Sequence, residues 1–163
     1  MSEQEIEKRA QKAVALFKDG YNCSQAVFAS CADLYGIEDE SLALRLSASF
    51  GGGMGRMRMV CGAASGMFLL AGLQNGSATP HDNEGKMANY VFVQQLAGDF
   101  KAKYGSLICA ELLGLAPKGQ CNAKLDLDPR PAERTPEYYE KRPCVEMVAE
   151  AVRIYLRQIQ EMA

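Results

Sequence analysis

The sequence predicts an all-α fold: a single-domain bundle of about six to eight helices, with a long Pro-rich crossing before the last one. Three observations carry this. Apolar residues recur at helical spacing in the first and last segments. Glycines and Ser, Asn or Pro punctuate the chain at helix-length intervals. No pair of alternating runs joined by a hairpin turn stands anywhere in the chain. At 163 residues one domain is expected, 1–163. A chain of that length buries enough surface to fold without covalent staples.

Glu3 to Lys18 places Ile6, Ala10, Ala13, Val14 and Phe17 on one face, with Gly20 as the stop. Asn22 is placed to cap a helix from Cys23 to about Tyr35, closed by Gly36. Ser41 to Phe50 reads as a short helix, before Gly51-Gly52-Gly53-Met54-Gly55 interrupts the chain. Met59 to Leu73 carries a cysteine and no Asp, Glu or Lys, and is too short to cross a bilayer, which takes about 20 residues. It reads as a buried central helix.

Asn83 to Tyr104 reads as a long amphipathic helix with Met87, Val91, Leu96 and Phe100 inward. Ser106 begins a shorter helix to Leu113. Pro143 opens the last, in which Val145, Val148, Val152, Tyr155 and Ile159 form a stripe. Between them, 116–142 is an irregular connection rich in proline, with one helical turn near Glu137 to Glu140. Loops of this length in a compact domain tend to be functional or mobile.

Composition excludes several functions. Eighteen Lys and Arg against 20 Asp and Glu leave a net charge of −2. That disfavours broad nucleic-acid binding. A single His removes any mechanism that needs a His pair, and no haem-attachment motif is present. The charged opening Met-Ser-Glu-Gln-Glu-Ile-Glu-Lys-Arg does not read as a signal peptide. A cytoplasmic setting, where thiols stay reduced, is expected. The amphipathic first and last helices could also supply a homodimer seam.

Six cysteines then need a reason. No two stand in C-x-x-C spacing, which removes thioredoxin-like and zinc-ribbon motifs. Cys23, Cys61, Cys109 and Cys144 fall in predicted first turns of helices. Unpaired backbone N–H groups and the helix dipole favour negative charge there, so a thiol is drawn toward thiolate. Thiolate is both the nucleophile of disulfide chemistry and a ligand for soft metals. A plain alternative remains for each, since free cysteine is often a small core residue.

Cys31 reads as core. Eight residues separate it from Cys23, about 12 Å along a straight helix. A disulfide requires Cα atoms within about 7 Å, so the two cannot pair. Cys121 lies in the Pro-rich crossing.

From Ser41 to Pro80 the only charges are Arg45, Arg56 and Arg58. This local positive excess surrounds Cys61 and favours its thiolate. The same arginines could simply solvate a glycine turn. The Gly51–Gly55 run lacks the Lys-Ser/Thr of a phosphate loop, but its backbone with Arg56 or Arg58 could contact a small anion. Gly62, Gly66 and Gly72 within a helix cost together about 2–3 kcal/mol against alanine. Close approach of another helix or a ligand is the usual compensation. His81, between Pro80 and Asp82, reads as a surface residue.

Four segments carry a resemblance: Asn-Cys-Ser-Gln-Ala-Val at Cys23, Cys-Gly-Ala-Ala-Ser-Gly at Cys61, Gly-Ser-Leu-Ile-Cys-Ala-Glu-Leu at Cys109 and Arg-Pro-Cys-Val-Glu-Met-Val at Cys144. In this order they resemble the C_GCAxxG_C_C family of small bacterial and archaeal proteins described as redox-active. The resemblance covers about Gly20 to Val148. It implies that these four are the family's cysteines and leaves Cys31 and Cys121 outside.

Three functions follow as expectations. In the first, the protein does thiol redox chemistry with an unidentified electron partner. Cys61 is the low-pKa thiol, and Cys23, Cys109 or Cys144 resolves it. In the second, the same four thiolates bind zinc or an iron–sulfur cluster. In the third, the chain is a helical scaffold with structural cysteines.

Overall fold

The computed structural model describes residues 1–120, 125 and 127–162. They form eight α-helices: α1 (Glu3–Lys18), α2 (Cys23–Ala29), α3 (Glu40–Ser47), α4 (Gly62–Asn75), α5 (Asn83–Tyr104), α6 (Cys109–Leu112), α7 (Pro136–Lys141) and α8 (Cys144–Met162). Two 3₁₀ turns, Ala32–Tyr35 and Ala48–Phe50, follow α2 and α3. Among the described residues there is no strand, only one isolated antiparallel bridge between Val60 and Ile108. Among the described residues no helix is long and apolar enough to cross a membrane.

Local chemistry sets the helix ends. The Ser2 hydroxyl accepts from the Glu5 N–H at the start of α1, with Glu3 and Glu5 in its first turn and Lys18 in its last. These charges complement the helix dipole. Asn22 caps α2 through a reciprocal box: its side chain accepts from the Gln25 N–H, and the Gln25 side chain accepts from the Asn22 N–H.

The helix expected to run to Tyr35 stops at Ala29. The Ser30 hydroxyl donates back to the Val27 carbonyl, and the Cys31 N–H bonds Phe28 three residues earlier. Such back-bonding competes with the helical ladder. The chain continues as the 3₁₀ turn that Gly36 closes at φ 76°.

One continuous core runs through the helices. α1 and α8 lie against each other, burying Ile6, Ala10, Ala13 and Phe17 on one side and Val148, Val152 and Tyr155 on the other. The apolar stripes of the two helices thus pack against each other within one chain. Arg153 clasps the pair from outside, bonding Glu7 on α1 and Glu150 on α8. α4 occupies the centre, against α2, α5 and α8. Tyr155, fully buried, donates to the Leu70 carbonyl of α4 and shares a hydrogen bond with the Tyr35 hydroxyl.

The ends of α5 fall where the sequence places them, but its inward face is different. Met87 and Val91 are exposed, and the buried residues are Phe92, Leu96 and Phe100. These three repeat every four residues, and the two methionine-side positions sit off that arc.

The α4 glycines separate into two kinds. A Cβ at Gly66 would lie 2.9 Å from the Ser24 carbonyl oxygen and from the Val27 side chain on α2. One at Gly62 would lie 3.3 Å from the Cys23 Cβ, whereas one at Gly72 would meet nothing. Close approach of α2 therefore explains the first two only.

Candidate functional site: a cysteine cluster beside an arginine-walled cavity

Each of the four cysteines stands at a helix start. Cys23, Cys109 and Cys144 are first residues of α2, α6 and α8, and Cys61 is the N-cap of α4. The glycine segment 51–58 holds these starts together. Its backbone coils through left-handed conformations at Gly52, Gly53, Met54, Gly55, Arg56 and Arg58. For the three non-glycine residues this costs about 1–3 kcal/mol each. The coil is pressed on both sides: a Cβ at Gly51 would fall 2.3 Å from the Asn22 side chain, and one at Gly53 2.6 Å from the Cys109 Cβ.

The chain leaving the coil fixes two more cysteines. The Cys61 N–H bonds the Leu107 carbonyl at 2.7 Å, and the Cys109 N–H bonds Met59 at 2.6 Å. These bonds flank the Val60–Ile108 bridge and set Cys61 and Cys109 alongside each other.

A cavity of about 400 Å³ opens here, walled by Cys23, Cys109 and Cys144 together with Arg56, Arg58, Arg134 and Arg142. Cys61 lies behind the wall, 4% exposed. Cys23 is half-buried, and Cys109 and Cys144 are buried.

Ionisation is unequal. Hydrogen bonding with Cys144 is the largest influence on Cys23; with the Gly52 N–H, its own N–H and the charge of Arg134, it outweighs burial and pulls the thiol down to about 7. The converse holds for Cys144, pushed far up by the same hydrogen bond, by burial and by neighbouring thiolate charge. Burial pushes Cys61 up to about 12, although the Ala63 and Ala64 amides at the start of α4 favour its anion. Cys109 is raised by burial, opposed by Arg58, whose guanidinium donates to its sulfur at 3.8 Å.

Cys61 is thus not the low-pKa thiol the sequence suggests. The amides at its helix start act as expected, but desolvation dominates. Nor does the positive excess serve it: Arg58 reaches Cys109, the Arg56 guanidinium donates to the Asp128 carbonyl at 2.7 Å, and Arg45 is exposed on α3. Cys31 is fully buried and pushed up to about 11, in keeping with a core role. Cys121 lies outside the described residues. His81 is exposed and no part of the cavity.

Two arginines escaped the sequence reading. Arg134 donates to the Phe17 and Tyr21 carbonyls and stacks on Phe17 and Tyr138. Arg142 stacks on Tyr138, 4.4 Å from the ring centre. The available signal was Arg142-Pro143-Cys144, a cation two residues before a site cysteine.

Among the described residues, no three Cys, His, Asp or Glu side chains are gathered so as to hold a metal ion.

The chain is an all-α protein with four cysteines at helix starts, three of them lining a basic cavity. A family model described as "Putative redox-active protein (C_GCAxxG_C_C)" matches residues 21–158, and the chain belongs to that family. No curated protein and no solved structure matches.

Proposed function

We propose that the protein is a thiol–disulfide oxidoreductase whose working pair is Cys23 and Cys144. The observation that carries this reading is that both cysteines stand at helix starts and line one arginine-walled cavity; their interaction lowers Cys23 to about 7 and raises Cys144, which favours one thiolate and one thiol near neutral pH. Thiolate fraction and access set the rate of disulfide attack, and the best attacking thiol has a pKa near ambient pH. Cys23 meets both conditions.

The Cys23 thiolate attacks one sulfur of a substrate disulfide. The substrate S–S bond breaks, a mixed disulfide forms, and the second substrate sulfur leaves as a thiolate. Cys144 gives up its proton and attacks the Cys23 sulfur, releasing the first substrate half. Two electrons pass from the protein dithiol to the substrate, which leaves as two thiols. A dithiol reductant restores the pair.

In this reading Cys109, hydrogen-bonded by Arg58, and Cys61 are the further thiols to which the disulfide would pass by exchange. Support for the redox assignment as a whole comes from the family's description.

The test is mild oxidation of metal-free reduced protein, followed by peptide mapping. A reversible Cys23–Cys144 disulfide is the expected product. Purification with about one equivalent of zinc or iron bound to the four thiols, and no reversible disulfide, overturns the reading in favour of a metal centre.

A further inference from the structure

The cavity is unusual in its charge. Four arginines wall it, and among its described lining residues there is no Asp or Glu. None of the four forms a salt bridge among the described residues. Arg58 is 6% exposed, and its Nε has no hydrogen-bond partner. A buried guanidinium N–H left unpaired is costly, so the Arg58 Nε is a donor that a bound anion would satisfy. Arg142 makes no hydrogen bond among the described residues and is held by its stack on Tyr138. Stacking fixes a guanidinium while leaving its N–H fork free for a carboxylate. Arg58 stands at Cys109, and Arg142 sits just before Cys144 in the chain. Both donors line the same cavity wall as the thiol pair. The volume suits a small molecule.

Building on the proposed thiol–disulfide exchange, we infer that the substrate is a low-molecular-weight disulfide carrying carboxylates, gripped through its acidic arms by Arg58 and Arg142 with its S–S bond over Cys23. The exchange is then the one written above: the substrate S–S bond breaks, the Cys23–Cys144 bond forms, and two carboxylated thiols leave with the two electrons.

Three disulfides of similar size separate the possibilities: 3,3′-dithiodipropionate (dianion), 2-hydroxyethyl disulfide (neutral) and cystamine (dication). Each is mixed with reduced protein, and its rate of Cys23–Cys144 oxidation is divided by its rate with mercaptoethanol thiolate. The dianion is expected to exceed the neutral probe by about tenfold or more, the scale of electrostatic focusing in a basic cleft, with cystamine slowest.

Added salt and Arg142→Gln should each reduce that ratio, and Arg45→Gln, outside the cavity, should leave it unchanged. The salt series keeps the test decisive where Arg142→Gln does not fold. Equal normalised rates for all three overturn the anionic substrate class and leave the thiol pair standing. Failure of all three, the neutral probe included, to oxidise the pair overturns the exchange reading itself.

Discussion

At the scale of single residues, the asymmetry between Cys23 and Cys144 organises the site. If the Cys144 S–H donor sustains the Cys23 thiolate, removing it has a defined effect. Cys144→Ala should raise the pH midpoint of Cys23 alkylation from about 7 toward the ordinary thiol value of 9.0. Cys144→Ser keeps an O–H donor and should hold the midpoint low. Identical midpoints in the two variants would mean that Cys144 acts only by filling space.

This asymmetry could not be read from the sequence. Helix starts are local features, and the caps at Asn22 and the Pro143-Cys144 junction announce them. Which thiol ionises depends on tertiary burial and on a partner from the far end of the chain. That is why Cys61, with helix-start amides and arginines nearby in sequence, looked the most acidic and is instead pushed up to about 12.

At the scale of elements, the contact of α2 with α4 sets Cys23 against Gly62, and the α4 glycines make opposite predictions. Gly66→Ala would force a Cβ to 2.9 Å from Ser24 and Val27. Overpacking of that kind costs about 1–3 kcal/mol, against a helix-propensity gain of about 1 kcal/mol. A net loss of thermal stability is expected. Gly72→Ala meets open space and should stabilise by up to about 1 kcal/mol. Thermal unfolding of the two variants checks both signs.

The Asn22 cap offers a second test on α2. Asn22 satisfies the Gln25 N–H and also donates to the Ala48 carbonyl beside the glycine coil. Asn22→Ala should cost about 1 kcal/mol and raise the Cys23 midpoint as the first turn loosens. Destabilisation without any change at Cys23 would separate the cap from the site. Helix existence and ends were largely legible because caps and glycine stops are local. The inner face of α5 was not, since Met87 and Val91 fit an apolar helical pattern as well as Phe92 does, and only the neighbouring helices decide between them.

At the scale of the whole molecule, the ionisable groups buried in the core set how stability depends on pH. Cys31, Cys61, Cys109 and Cys144 all hold their protons more tightly folded than at the ordinary value of 9.0. Their contribution is fully present below that value and is lost as pH rises, because the unfolded chain releases protons the folded chain retains. Cys23 has the opposite sign: its contribution grows as pH rises from about 7 and is lost as pH falls through it. Four groups oppose one, so the reduced protein should lose stability above about pH 9. Thermal unfolding across that range should show the fall, and Cys31→Ala should lessen its slope. A flat profile would mean that these thiols are not desolvated in solution.

The all-α class, the helix-start positions of the four cysteines and the burial of Cys31 were accessible from pattern and spacing. The basic cavity was not, because Arg134 and Arg142 reach it only through the folding of the Pro-rich crossing against α1, α2 and α8.

The account turns on Cys23 being the poised thiolate. Isotope-coded alkylation of the fully reduced protein across a pH series, with every cysteine quantified by mass spectrometry, tests it directly. Cys23 should react first with a midpoint near 7, while Cys31 and Cys61 remain unmodified until the fold is lost. A Cys23 midpoint at or above 9, or Cys61 reacting ahead of it, would contradict the account.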